Sequence, residues 1–103
     1  MPKYILLANW TDQGMRSVRD SAKRLDAGLA MGKQQGCVYE KFFLTMGSFD
    51  MVSVVDAPDD ETLAKHVLTI GAGGNVRTIT LKAFPEGVYR SIITDLPPTL
   101  ASG

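Results

Sequence analysis

Asp50, Arg77, Asn9, Trp10 and His66 are the side chains of this 103-residue chain whose types and positions could do chemistry. Asp50 stands in GSFDMVSVVDAPDDE (47–61), where a glycine turn gives way to an alternating apolar run. A carboxyl there can act as a general base or ligand anchor if burial lifts its pKa toward the working pH. It can equally be a corner post that accepts backbone N–H groups at the start of a strand. Arg77 lies in a later alternating run with Thr78 and Thr80, so an Arg77–Asp50 ion pair across a sheet would either hold a carboxylate ligand or tie two strands. Asn9 and Trp10 end the first apolar run, where an indole can stack on a flat ligand or pack in an interface. Asp50 is therefore the catalytic candidate, and Asn9, Trp10, Asp50 and Arg77 form the candidate ligand-binding set.

The remaining reactive types point elsewhere. His66, the only histidine, follows Leu63 and precedes Val67 and Ile70 on a helical pattern, and its reading is a surface or interface residue beside that apolar stripe. Without a nearby carboxylate or thiol it makes no metal site, and none is expected. Cys37, the only cysteine, excludes an intrachain disulfide and a multi-thiol metal site, and reads as a small buried hydrophobe. The glycines of GAGGN (71–75) follow a helix and precede a strand, the reverse of the phosphate-cradling order, so no nucleotide cofactor is implied.

Composition narrows the function classes. Eleven basic residues balance eleven acidic ones, which removes the electrostatic footprint of a nucleic-acid binder. Arg16, Arg19, Lys23 and Arg24 are interleaved with Asp12, Asp20 and Asp26, the pattern of a solvated helix face. Neither a leader pattern nor an apolar stretch of about 20 residues occurs, so no membrane partner is expected. A reduced cytoplasmic setting fits the lone thiol.

The elements that must position these residues follow from periodicity. KYILLANW (3–10) is apolar on both alternating sides and reads as a strand. TDQG breaks it, a helical pattern runs from Met15 with a restart near Asp20 and Ser21, and Gly36 stops it. CVYEKFFLT (37–45) and DMVSVVDA (50–57) form a hairpin that turns at 46–49. Pro58 and Asp59 open a second helix with Leu63, Val67 and Ile70 inward, and GAGG ends it. NVRTITLKAF (75–84) is a fourth strand, and EGVYRSIITDL a last helix before Pro97 and Pro98. The order βαββαβ is the α+β ferredoxin-like plan, with both main helices on one face of a four-stranded antiparallel sheet. Residues 1–96 are then one domain and 97–103 a short tail. The uncovered sheet face is too apolar to stay exposed, so a homodimer or a multiple of one is expected.

YILLANWTDQGMRSVRDSAKRLDAG, GSFDMVSVVDAPDDE and GNVRTITLKAF, in that order and spacing, resemble the GYD domain family over about Tyr4 to Phe84. The resemblance implies a ferredoxin-like subunit that pairs through its sheet as a dimeric α+β barrel, and it brings no activity. The family's naming triplet corresponds to Gly47, Phe49 and Asp50, with Phe49 in place of the tyrosine. Two functions stand: an oligomeric small-molecule-binding or structural module without an assembled catalytic site, or a cofactor-independent monooxygenase or isomerase acting on a small organic substrate.

Overall fold

Residues 1–99 are described by the computed structural model, and the last four residues of the expected tail, 100–103, lie outside them. Eight alternating residues form β1 (Lys3–Trp10), with the bounds that the sequence predicts. Thr11 caps the next segment by accepting from the Gly14 N–H, giving a short helix α1 (Asp12–Arg16) and a 3-10 turn (Val18–Asp20) before α2 (Ser21–Gln35). The restart expected near Asp20 and Ser21 is this turn. Gly36 closes α2 with φ +90°, a left-handed conformation that favours glycine.

β2 (Val38–Leu44) and β3 (Met51–Asp56) follow as a hairpin, and β4 (Val76–Ala83) comes after α3 (Asp60–Ala72). Asp59 caps α3 by accepting from the Thr62 N–H, while Asp60 and Glu61 in the first turn complement the helix dipole. A last helix, α4 (Glu86–Thr94), comes after Pro85. The four strands form one antiparallel sheet in the order β2-β3-β1-β4, the ferredoxin-like arrangement.

Strand alternation sorts the sheet into two different faces. Tyr4, Leu6 and Ala8 of β1 are opposite Val55, Ser53 and Met51 of β3, and these residues look toward the helices. Tyr4, Leu6, Val55, Ala57, Cys37 and Leu63 form the sealed core, with Tyr39 and Val67 packed against it. Cys37 is buried as the sequence predicts.

The opposite face carries Ile5 and Leu7, facing Val54 and Val52 on one side and Leu81 and Ile79 on the other. Phe43 extends the same face onto β2. No layer among the described residues covers it, and Phe43, Ile79 and Leu81 are 52%, 52% and 44% exposed. Lys3, Glu40 and Asp56 form an ionic cluster at one end, with Asn9 and Arg77 paired in register at the other.

α4 packs substantially against no other element among the described residues. Val88, Tyr89, Ile92, Ile93 and Leu96 on and just after it are all 44–59% exposed. The molecule is consequently long, 58 × 30 × 20 Å, and its radius of gyration of 16.9 Å exceeds the roughly 13 Å of a compact chain this size.

Candidate functional site

The hairpin between β2 and β3 ends where β1 still continues, and that mismatch fixes Asp50. Thr45 spans the turn, its N–H donating to the Asp50 carbonyl at 2.8 Å and its hydroxyl to the Phe49 carbonyl at 2.6 Å. The Asp50 N–H donates to the Ala8 carbonyl at 3.0 Å, so Ala8 directs its backbone groups toward β3. By alternation Trp10 directs its N–H the same way, but β3 has run out at that level. The Asp50 carboxylate supplies the missing acceptor, with Oδ2 at 3.0 Å from the Trp10 nitrogen. Asn9 braces the corner, its Oδ1 accepting from the Asp50 N–H at 2.9 Å and its Nδ2 donating to the Ser48 carbonyl at 3.2 Å.

Three of the four expected ligand residues therefore meet at one corner, and Arg77 does not join their bonding. It sits opposite Asn9 on β4, and its guanidinium makes no ion pair or hydrogen bond to a described residue. The Arg77–Asp50 ion pair of the sequence reading is not formed, because the carboxylate is held by the Trp10 N–H at the strand end. The turn residue Phe49, in the place of the family's tyrosine, brings no hydroxyl to this corner.

His66 is a second correction. It lies three residues after Leu63 and four before Ile70, which puts it on the inward stripe rather than beside it, and it is fully buried. Gln35 Oε1 lies 2.8 Å from Nδ1 and the Tyr39 hydroxyl 2.7 Å from Nε2. Gln35 offers an acceptor there, so Nδ1 carries the ring proton and Nε2 accepts from the Tyr39 O–H. The chain Gln35–His66–Tyr39 thereby joins the end of α2, the middle of α3 and β2.

Burial drives the interior titratable groups toward their uncharged forms. It lowers the His66 pKa below 6.5 and raises those of Tyr39 and Cys37. Tyr4 is pushed up to about 12, first by burial and then by its hydrogen bond to Asp60 at 2.5 Å. The Tyr4 and Tyr39 hydroxyls and the Cys37 thiol are thereby held protonated near neutral pH, and no group of three or more His, Cys, Asp or Glu side chains could hold a metal ion among the described residues.

Between α2 and the sheet lies a cavity of about 300 Å3, in the layer where an enzyme reading of the sequence would place a pocket. Its walls come from Leu25, Gly28 and Leu29 of α2 and from Trp10, Phe42 and Met51 of the sheet. Trp10 alone of the candidate set lines it; Asn9, Asp50 and Arg77 do not. The only signal in the sequence is Gly28 in the middle of the apolar side of α2, a position where a larger side chain would fill the gap.

The pattern of the GYD domain family matches residues 4–93 of this chain. A protein of Thermus thermophilus named "Glutamine synthetase and cystathionine beta-lyase binding protein" is 30% identical over 86 residues, which are 82% of this chain and 90% of that protein. No solved structure matches the chain.

Proposed function

The chain belongs to the GYD domain family, and from that premise we propose that it is a self-pairing binding module with no reaction of its own, two copies meeting through their open sheet faces. The uncovered apolar face carries this reading. Ile5, Leu7, Phe43, Val52, Val54, Ile79 and Leu81 form one continuous surface across all four strands. A soluble monomer does not keep such a patch in water, and covering it with its own copy is the simplest closed solution.

The ends of the face differ in charge: Lys3, Glu40 and Asp56 form an ion cluster at one end, where the N-terminal ammonium also acts on Asp56, and Arg77 stands at the other. The exposed apolar stripe of α4 is a second contact surface for the same pair.

The binding reading rests on the corner and on the relative. The Asp50 carboxylate is spent on a backbone N–H at a strand end, outside the cavity, which suits a corner post better than a base. The Thermus protein is named for binding two enzymes, and by that likeness the partners of this pair are other proteins, enzymes among them. A cytoplasmic setting agrees with a single cysteine, Cys37, that is buried and outside any disulfide.

Biolayer interferometry against glutamine synthetase and cystathionine β-lyase from the same cell tests the partner class. Saturable binding of either enzyme supports it, and no binding of either at tens of micromolar contradicts it. The pairing itself is tested by light scattering, with Ile79→Asp as the variant that places a charge on the β4 side of the apolar face.

A further inference from the structure

Ser53 is the odd residue on the inward side of β3. It lies between Met51 and Val55 along the strand and faces Leu6 and Phe42 across it, and it is only 6% exposed. Its hydroxyl makes no hydrogen bond to any described residue, although no fully sealed side-chain polar atom lacks a partner among them. The hydroxyl therefore opens onto the cavity that Ser53 helps to line. Such a group in an apolar wall is costly unless something meets it.

The walls indicate what that is. A cavity of about 150 Å3 is known to take benzene, so the roughly 300 Å3 here suits a molecule of two fused rings. Trp10 and Phe42 offer flat aromatic surfaces, Leu25, Leu29 and Met51 add aliphatic contact, and Asn75 and Thr78 are further polar residues on the lining. The single charge on the lining is Arg24, whose guanidinium is held by the Ser17 carbonyl and hydroxyl and the Gly14 carbonyl at 3.0–3.2 Å, with no carboxylate beside it. A cationic ligand meets no counter-charge there, whereas a neutral or singly anionic one does not conflict with the wall.

We propose that the cavity between α2 and the sheet is a binding site for a flat, two-ring apolar molecule, neutral or singly anionic, whose polar group bonds the Ser53 hydroxyl. The site lies on the helix side of the sheet, so it stands or falls independently of the pairing of the open face. Gly28 gives a clean way to close it, because a Cβ built there meets no heavy atom within 4 Å. A leucine at that helical position fills the space while improving helix propensity.

Trp10 is the only tryptophan, so its single indole N–H signal in a nitrogen-15 NMR spectrum of the full chain reports occupancy. The probes are 2-naphthol, 2-naphthoate and 2-naphthylmethylammonium. Saturable shifts with the first two, and binding of the ammonium at least about tenfold weaker, are expected. Gly28→Leu should abolish the shifts with an unchanged or higher melting temperature, and Ser53→Ala should weaken 2-naphthol about two- to tenfold. Absence of any saturable shift with 2-naphthol and 2-naphthoate up to millimolar concentration overturns the proposal. Undiminished binding in Gly28→Leu, or equal binding of the ammonium, overturns it as well.

Discussion

Asp50 works at the level of one hydrogen bond. Its carboxylate completes a ladder that β3, which starts opposite Ala8, does not reach, and the side chain is only half-buried. Replacing it with alanine removes the acceptor of the Trp10 N–H and should cost about 1–2 kcal/mol in urea unfolding, while Asp50→Asn, which keeps an acceptor oxygen, should cost less than half of that. Equal losses in the two variants would show that the charge, not the acceptor, matters. His66 works at the same scale and makes stability depend on pH. The fold holds the imidazole neutral and lowers its pKa below 6.5, so under acid conditions the unfolded chain takes up a proton that the folded one refuses. Stability from this residue is complete above about pH 7 and declines as the pH falls through 6.5. The carboxylates of Asp56, Asp59 and Asp60, whose pKa values are lowered by their partners, lose their contribution only in a more acidic range. A melting temperature that falls between pH 7.5 and 5.5 in the native chain but stays level in His66→Gln is the expected result; parallel declines would contradict it. The role of Asp50 as an acceptor of backbone N–H groups was legible in the sequence, but neither its particular partner nor the burial of His66 was. The first depends on where β3 stops relative to β1, and the second on Gln35 and Tyr39, 31 and 27 residues away, arriving as partners.

Elements were far more legible than contacts. β1 was readable to the residue because its boundaries coincide with TDQG and with the only alternating run near the start, and Gly36 and Asp59 each announce a helix end by a mechanism that needs no tertiary partner. The path between β1 and α2 was less so, because it is set by a close approach. A Cβ on Gly14 would stand 2.0 Å from the Asn75 carbonyl oxygen, and Thr11 donates its N–H to that same oxygen at 3.0 Å. The start of β4 is thus clamped against α1 next to Trp10. Gly14→Ala should force the two segments apart and lower stability by about 1–3 kcal/mol, measured as a drop in urea midpoint with an unchanged slope. A neutral outcome would mean that this junction yields at little cost. α4 shows the converse limit: its helical pattern was readable, but the sequence could not show that it packs substantially against no other element among the described residues.

At the scale of the whole molecule, one side of the sheet is finished and the other is not. The sealed core of Tyr4, Leu6, Val55, Ala57 and Leu63 completes the helix side, whereas Ile5, Leu7 and their cross-strand partners have only solvent above them. The alternation of β1 carried this asymmetry in the sequence, since a strand apolar on both sides needs two covers and one layer of helices supplies one. The projecting α4 stretches the chain to 58 Å, and its apolar side would be a second surface for the proposed pair. If the open face is the interface, Ile79→Asp should separate the copies while leaving the fold of each intact, because Ile79 contacts water rather than the core in the single chain. Light scattering of the full chain at micromolar concentration is the most direct test of self-pairing. Twice the chain mass of 11.2 kDa, or a multiple of that pair, is predicted for the native protein, with a fall toward 11.2 kDa in Ile79→Asp. A stable, folded native species of 11.2 kDa at that concentration would contradict the account.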